Sequence, residues 1–309
     1  MGLIEGDWKP GCDFIRHLLL VARHTNGRMP ELLYKYVPIE RLDIISNGLI
    51  RFTQPGDFND PFELHPSFDL LSRADIATLN AEPNDLARAD RFNKMISAIM
   101  PGLARMTQDL QGKQGMFSIE NNRLAQETFD AHFGILSLTE APDNLLMWAH
   151  YANNHDGLVL QFNEQHSFFA PITFEGQTLE LTRMEYTVDR PVISSTSLYS
   201  TIVYYRKSPE WSYEREWRLI KPLTCATKVL PSNSRPIHLF SFPPDTLTGI
   251  IVGLRVSDEV RDEISVICAR PEFKHVRIHH THLSRDQYKL EIHPALDGTP
   301  PRGAALDAR

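Results

Sequence analysis

The chain has little cysteine and no long hydrophobic run near its start. Cys12, Cys225 and Cys268 are its only cysteines among 309 residues, and no two of them form a C-x-x-C pair. We therefore expect neither a disulfide framework nor a cysteine-based zinc site, and we predict free thiols in a reducing cytoplasm. The apolar stretch 18–22 is too short to cross a bilayer or to serve as a secretion signal, so no membrane association is expected.

An excess of positive charge and the common catalytic signatures are also missing. Lys and Arg number 32 against 39 Asp and Glu, a net charge of −7, so general nucleic-acid binding is not expected. The sequence has no P-loop, G-x-G-x-x-G, G-x-S-x-G or H-E-x-x-H motif. His280 and His282 form an H-x-H pair, but no third ligand is evident nearby, so we predict an exposed strand and no metal site.

The pattern of hydrophobic residues predicts one α+β domain at 31–292. Residues 1–30 are interpreted as an N-terminal extension, and the Pro/Gly/Ala-rich stretch 293–309 as a disordered tail. Residues 67–131, rich in Ala, Leu, Asp, Arg and Gln, are predicted to form a helical insertion of several short helices.

Short strands separated by turns or helices make up the rest of the predicted domain. Helices are predicted at Ile39–Ser46, ended by Gly48, at Asn144–Ala152, and near 193–206 and 257–269. The predicted strands are Leu32–Val37, Leu49–Thr53, Leu158–Phe162, Ile172–Phe174, Thr182–Val188, Glu214–Ile220, Ile237–Phe240, Gly249–Val252 and His275–His282.

The stretch WSYEREWRLIKP, residues 211–222, places three charges at alternate positions of a predicted strand. Because successive side chains of a strand point to opposite faces, Glu214, Glu216 and Arg218 are expected to share one face. Trp217 and Leu219 are expected on the core side. The charged face is either a solvated surface with a local ion pair or the position of a catalytic carboxylate.

Two further stretches carry candidate site residues. In FNDPFE, residues 58–63, Asp60 and Glu63 have nearly the spacing of a helix capping box, with the two phenylalanines as core anchors. Alternatively Asn59, Asp60 or Glu63 lines a pocket. In MWAHY, residues 147–151 of the predicted helix Asn144–Ala152, Trp148 and Tyr151 share a side, which indicates either core packing or an aromatic wall for a planar ligand.

Together, FNDPFE, the MWAHY helix and WSYEREWR resemble an uncharacterised family of bacterial domains over roughly 32–270. The order of elements also resembles the ADP-ribosyltransferase fold. LYKYV…IISNGL matches its first strand and helix, FGILSLTEAPDNLLMWAHYANNHDGLVLQF its second unit, and EREWRLIKP its strand opened by a glutamate. This resemblance implies a split mixed/antiparallel sheet core, interrupted here by the helical insertion.

The same resemblance implies an enzyme that uses NAD as a substrate and transfers ADP-ribose. Glu216 would stabilise the ribosyl oxocarbenium by accepting a hydrogen bond from the 2′-hydroxyl. Glu214 would face the acceptor, and Ser137 would orient the glutamate or the ribose. The residues implied to bind NAD are Lys35, Tyr36, Thr139, His150, Tyr151 and Arg218, and the further pocket-lining candidates are Asn59, Asp60 and Trp148.

The biological setting implied by the resemblance is a toxin or antiphage effector acting on a protein or nucleic-acid acceptor. Two alternatives stay open. One is a non-catalytic binding module of the same fold, suggested by Lys35 where such proteins commonly have His or Arg, and by Arg218 beside Glu216. The other is a metal-dependent nuclease or hydrolase that uses Asn59, Asp60, Glu63 and Glu216, because acidic clusters can hold Mg²⁺.

Overall fold

The computed structural model describes residues 31–63, 65, 67–69, 127, 129–174, 177–194 and 201–295. The predicted extension at 1–30 and most of the predicted insertion at 67–131 lie outside these residues, as does the tail from 296 onward.

The principal α-helices are α1 (Asp43–Asn47), α2 (Leu145–Tyr151) and α3 (Asp258–Cys268). The strands are β1 (Leu32–Pro38), β2 (Leu49–Phe52), β3 (Ser67–Asp69), β4 (Phe133–Thr139), β5 (Gly157–Asn163), β6 (Ile172–Phe174), β7 (Gln177–Leu179), β8 (Thr182–Arg183), β9 (Glu185–Tyr186), β10 (Val192–Ser194), β11 (Arg206–Lys207), β12 (Glu216–Pro222), β13 (Lys228–Leu230), β14 (Ile237–Ser241), β15 (Leu247–Val252), β16 (Arg277–Leu283) and β17 (Leu290–Pro294).

A large mixed sheet organises the domain. Its strand order is β17-β16-β15-β5-β1-β4-β12-β8, with β15 and β16 parallel and the other neighbours antiparallel. A second, antiparallel sheet has the order β13-β14-β2. Helices together with a large sheet of mainly antiparallel strands confirm the predicted α+β class.

One edge of β4 is divided between two partners. Tyr34 of β1 pairs with Thr139 at one end of β4, and Thr53, just after β2, bridges to Ile135 nearer the other end. Ser137 lies between these two points. The strands β1 and β2 are joined through α1, and Gly48 ends that helix in the left-handed region at φ 60°, as the Asn-Gly signal predicts. The two sheets therefore diverge beside Ser137.

The charged strand begins two residues later than predicted. Pro209–Glu214 form a 3-10 helix, and Arg215 has a φ of 43°, so the chain turns before β12 starts at Glu216. Glu214 therefore does not share a strand face with Glu216 and Arg218. Trp217 and Leu219 do lie in the main core, as expected.

Several other predicted elements differ from the structure. The region near 193–206 includes the strand β10 and a 3-10 helix, Thr201–Tyr205. The first residues of the predicted helical insertion are extended, because β3 pairs in parallel with β10. Phe62 is 60% exposed instead of anchored in the core. The last strand continues to Pro294, into the predicted tail. None of the helices in the described part of the chain is long and apolar enough to cross a membrane.

Close backbone approach makes Gly157 necessary at the start of β5. A Cβ on this residue would lie 2.5 Å from the carbonyl oxygen of Val37 and 2.9 Å from the Cα of Ala152. We expect Gly157→Ala to lower the free energy of unfolding by about 1–3 kcal/mol, because backbone atoms must shift. Urea denaturation measures the change. Gly249→Ala, whose Cβ would meet its nearest atom at 3.1 Å, is the control and should cost less; equal costs would contradict this account.

Candidate functional site

A cleft of about 470 Å³ opens where β1 and β2 diverge beside β4. Its walls come from these three strands, the helix α2, the FNDPFE turn and the start of β12. Most of the residues predicted for the site line this cleft: Lys35, Tyr36, Asn59, Ser137, Thr139, His150, Tyr151, Glu214, Glu216 and Arg218. Side chains that are remote in sequence thus converge on one volume.

Two predicted pocket residues lie elsewhere. Trp148 is fully buried, donates from Nε1 to the carbonyl oxygen of Pro142 at 2.9 Å, and packs edge-on against Tyr36, so it is a core residue. Asp60 lines a separate cavity of about 190 Å³. Its Oδ1 accepts from the backbone N–H of Phe62 at 2.9 Å. The FNDPFE stretch therefore makes a tight turn and not the capping box that its spacing predicts.

Arg218 forms the floor of the cleft, with 0% of its surface exposed. Its guanidinium is bidentate to Glu63, with N–O distances of 2.5 and 3.0 Å, and it contacts Glu216 through Nε at 2.8 Å and Nη2 at 3.2 Å. Nη1 also donates to the carbonyl oxygen of Tyr204 at 2.9 Å. All its nitrogens are engaged by protein oxygens, and the local ion pair with Glu216 that the sequence allows is present.

Glu216 is kept ionised by this arrangement. Burial raises the pKa of its carboxyl, but the positive charges of Arg218 and Lys207 lower it further, to about 2. Three donors contact its oxygens: the two Arg218 nitrogens, and Lys207 Nζ at 3.4 Å. The Ser137 hydroxyl adds a hydrogen bond that also lowers this pKa, so a carboxylate with about four acceptor positions is surrounded by donors.

Glu214 has a different environment on the other side of Lys207. Its Oε2 accepts from Lys207 Nζ at 2.7 Å, and its Oε1 accepts from the Tyr151 hydroxyl at 2.5 Å. Asn59 in turn donates to that hydroxyl oxygen at 3.1 Å. Burial raises the pKa of Glu214, and the nearby Glu216 adds to the rise, while Lys207 opposes it. The two glutamates thus share a lysine but differ in acidity.

Hydroxyl groups around the cleft fall into two kinds. The Thr139 hydroxyl donates to the carbonyl oxygen of Glu214 and accepts from Ala141 N at 3.0 Å, and Tyr36 donates to the carbonyl oxygen of Ala141 at 2.7 Å. These two fix the loop that follows β4 and are not free for a ligand. The Ser137 Oγ is buried without a hydrogen bond of good geometry among the described residues, and a weak hydrogen bond to Glu216 lowers the pKa of that carboxyl.

Lys35 is a partly buried lysine whose amine has no carboxylate in hydrogen-bond contact among the described residues. Its Nζ donates to the carbonyl oxygen of Ser137 at 3.1 Å. Burial lowers its pKa to about 8, an effect that Glu216 opposes and that Arg41 and Arg51 reinforce. Close to neutral pH, therefore, Lys35 carries a charge that its surroundings only partly stabilise.

Several residues of the cleft were not predicted from the sequence. Lys207 bridges the two glutamates, and its charged form is favoured: burial lowers its pKa, but Glu216 and Glu214 raise it more. Arg41, Arg51 and Asp57 also line the cleft. The Lys207 amine lies 4.7 Å from the centroid of Trp211. A lysine shortly before an acidic and aromatic run is a weak signal, and nothing local in the sequence indicates the two arginines.

A family model described as a protein of unknown function (DUF2971) matches residues 147–219. The chain is similar to that family over this stretch. The predicted resemblance to an uncharacterised domain family is thereby confirmed. The matched DUF2971 stretch contains Tyr151, Lys207, Glu214, Glu216 and Arg218, the acidic half of the cleft, whereas FNDPFE and β1 lie outside it. No curated protein and no solved structure matches the chain.

The acidic side chains near the DUF2971 stretch are not arranged for a divalent cation. Glu63 and Glu216 lie on either side of the Arg218 guanidinium, which occupies the oxygens that a metal would need. Within the described ranges, no group of three or more His, Cys, Asp or Glu side chains could hold a metal ion. His280, predicted on an exposed strand, is buried and contacts Arg261 Nη1 through Nδ1 at 2.6 Å.

We expect Arg218→Met to lower the free energy of unfolding by about 3–5 kcal/mol, because Glu63 is left buried without its counter-charge and Glu216 keeps only Lys207 at 3.4 Å. Urea denaturation at neutral pH measures the change. Arg183→Met is the matched control on the neighbouring strand: its side chain is 50% exposed and pairs with Glu140 at 3.5 Å, so a change below about 1 kcal/mol is expected. Similar losses for both variants would refute a special role for the buried network.

Lys35 gives a pH-dependent prediction. The pKa of Lys35 is about 8 in the folded protein, against an ordinary value of 10.5 in the unfolded chain. Below pH 8 the amine is therefore protonated in both the folded and the unfolded protein, and the folded protein carries the full cost of burying its charge. Between pH 8 and 10.5 the folded state loses its proton first, and the penalty declines. Lys35→Met should therefore be more stable than wild type at pH 7, by up to about 3 kcal/mol, and this advantage should shrink toward pH 10.5.

Denaturation at a series of pH values checks this sign. Lys289→Met, at an exposed position, is the control. An advantage of Lys35→Met that grows with pH would show that the sign is wrong.

Proposed function

We propose that the cleft binds NAD and cleaves its nicotinamide–ribose bond, transferring ADP-ribose to an acceptor. The observation that carries this proposal is the convergence of Lys35, Ser137, Tyr151 and Glu216 on one cleft. Three of these residues come from the adjacent strands β1, β4 and β12. A volume of about 470 Å³ lies within the range of small-molecule sites.

In this reaction the C1′–N bond breaks and its electron pair leaves with the nicotinamide nitrogen. Positive charge develops on the ribose, and a nearby carboxylate that is already ionised and fixed stabilises that charge. Glu216 fits this role, because Arg218 and Lys207 hold it in position and its pKa of about 2 keeps it ionised. Glu216 would accept a hydrogen bond from the ribose 2′-hydroxyl, and the Ser137 hydroxyl, now weakly bonded to Glu216, would orient the ribose.

Glu214 would receive the proton of the acceptor nucleophile as a bond forms to C1′. Its raised pKa suits a general base better than that of Glu216 does. Tyr151, hydrogen-bonded to Glu214, would offer a ring face to the nicotinamide, and Lys35 would contact the far side of the dinucleotide. A toxin or antiphage effector acting in a bacterial cytoplasm would direct this reaction at a protein or nucleic-acid acceptor.

A second candidate function is a non-catalytic binding module of the same fold. The observation that favours it is the completeness of the Arg218 network: Glu63, Glu216 and Lys207 satisfy one another's charges without any ligand. In that case Glu216 is structural, and the cleft binds a partner without chemistry.

Nicotinamide release from NAD, followed by chromatography, tests the proposal. We expect Glu216→Gln to reduce the rate by about 100-fold or more, the usual loss when a preorganised charge-stabilising group is removed. Glu272→Gln, exposed on the surface, is the control and should keep the wild-type rate, and near-ultraviolet circular dichroism should show both variants folded. A folded Glu216→Gln variant that retains full turnover would overturn the assignment.

No NAD binding at millimolar concentration, together with tight binding of a protein or RNA, would favour the binding module.

A further inference from the structure

Three cations line the cleft near the charge network described above. Lys35 lies on β1, Arg41 in the 3-10 helix Ile39–Arg41 that follows it, and Arg51 on β2. The chain between β1 and β2 is short, so one strand–helix–strand unit supplies all three. Arg41 and Arg51 lie outside every motif on which the resemblance to ADP-ribosyltransferases rests.

Each of these cations has donors that the described protein groups leave unused. The Nε of Arg51 is buried without a hydrogen-bond partner in the described structure, and an unpaired buried donor is unfavourable. The Lys35 ammonium has three N–H donors and uses one of them for a hydrogen bond to the uncharged carbonyl oxygen of Ser137. Arg41 contacts Asp43 at 3.4 Å, in a pair open to solvent, which binds weakly.

The nearby acidic group does not neutralise this region. Asp57 accepts from Arg51 Nη2 and from Arg235 Nη1 at 2.8 Å, and Arg235 Nε also pairs with Asp130 at 3.2 Å. Asp57 therefore balances Arg51 at most and leaves Lys35 and Arg41 without a buried carboxylate in contact among the described residues. The charges of Arg41 and Arg51 also reach Lys35, where they add to the effect of burial in lowering its pKa, against the opposing effect of Glu216. An anion placed among the three cations would relieve this repulsion and give the unused donors acceptors.

We propose that Lys35, Arg41 and Arg51 form a subsite for the diphosphate group of a nucleotide ligand. Guanidinium forks match phosphate oxygens two at a time, and a lysine adds a compact charge. This inference rests on the proposed function for the identity of the nucleotide, but the subsite itself requires only the diphosphate.

Calorimetric titration of the full chain with ADP and with adenosine tests the subsite without any reaction. ADP should bind more tightly than adenosine. Arg41→Gln and Arg51→Gln should each weaken ADP binding about 10-fold, the effect of one charge-assisted hydrogen bond, and leave adenosine binding unchanged. Arg285→Gln, exposed and outside the cleft, is the matched control. Because Arg51 also pairs with Asp57, Arg51→Lys, which keeps the charge, should weaken ADP binding less than Arg51→Gln.

The outcomes separate this subsite from the proposed function. ADP that binds no more tightly than adenosine, or ADP binding unchanged in both glutamine variants, overturns the subsite. Losses of ADP affinity in the variants, with no nicotinamide release by the wild type, support the subsite and refute the NAD reaction. Nicotinamide release with the same KM in the wild type and in both glutamine variants supports the reaction and overturns the subsite.

Discussion

The guanidinium of Arg218, shared between Glu63 and Glu216, is the interaction on which the cleft depends. It joins the FNDPFE turn to β12 across 155 sequence positions and adds the carbonyl oxygen of Tyr204. Removing such ions from water is costly, and an apolar replacement of similar volume is often equally stable. Stability of the fold is therefore a weaker explanation for the buried network than the position of Glu216. The network holds this carboxylate ionised and in place at the base of the cleft.

The divided edge of β4 provides the space above that carboxylate. A continuous sheet would satisfy the backbone along this edge with a neighbouring strand. Here β1 and the end of β2 each take one part of it, and the Lys35 ammonium serves the carbonyl oxygen of Ser137 between them. The divided pairing of β4 leaves the carbonyl oxygen of Ser137 without a strand partner among the described strands, and Lys35 supplies the missing donor. The cleft therefore follows from the strand topology.

Local patterns predicted most of the elements but few of the contacts. The alternation in EWRL placed Trp217 and Leu219 in the core correctly, because strand periodicity follows from backbone geometry alone. The strand assignment of Glu214 failed, because a 3-10 helix begun at Pro209 and the positive φ of Arg215 change the direction of the chain. The second carboxylate partner of Arg218 was not predicted either. Glu63 lies far away in sequence, so only the tertiary fold could bring it to the guanidinium beside Glu216.

Charge is distributed unevenly across the cleft, and this restricts the ligands that fit it. The group formed by Glu63, Glu214 and Glu216 with Lys207 and Arg218 has three acids against two bases, whereas Lys35, Arg41 and Arg51, which line the same cleft, have Asp57 as the nearby acid. A ligand with a positive ring at one end and a diphosphate further along complements both groups at once. A nicotinamide dinucleotide has this arrangement of charge, and in the proposed reaction cleavage would move the positive charge from the pyridinium ring to the ribose, where an ionised glutamate would stabilise it.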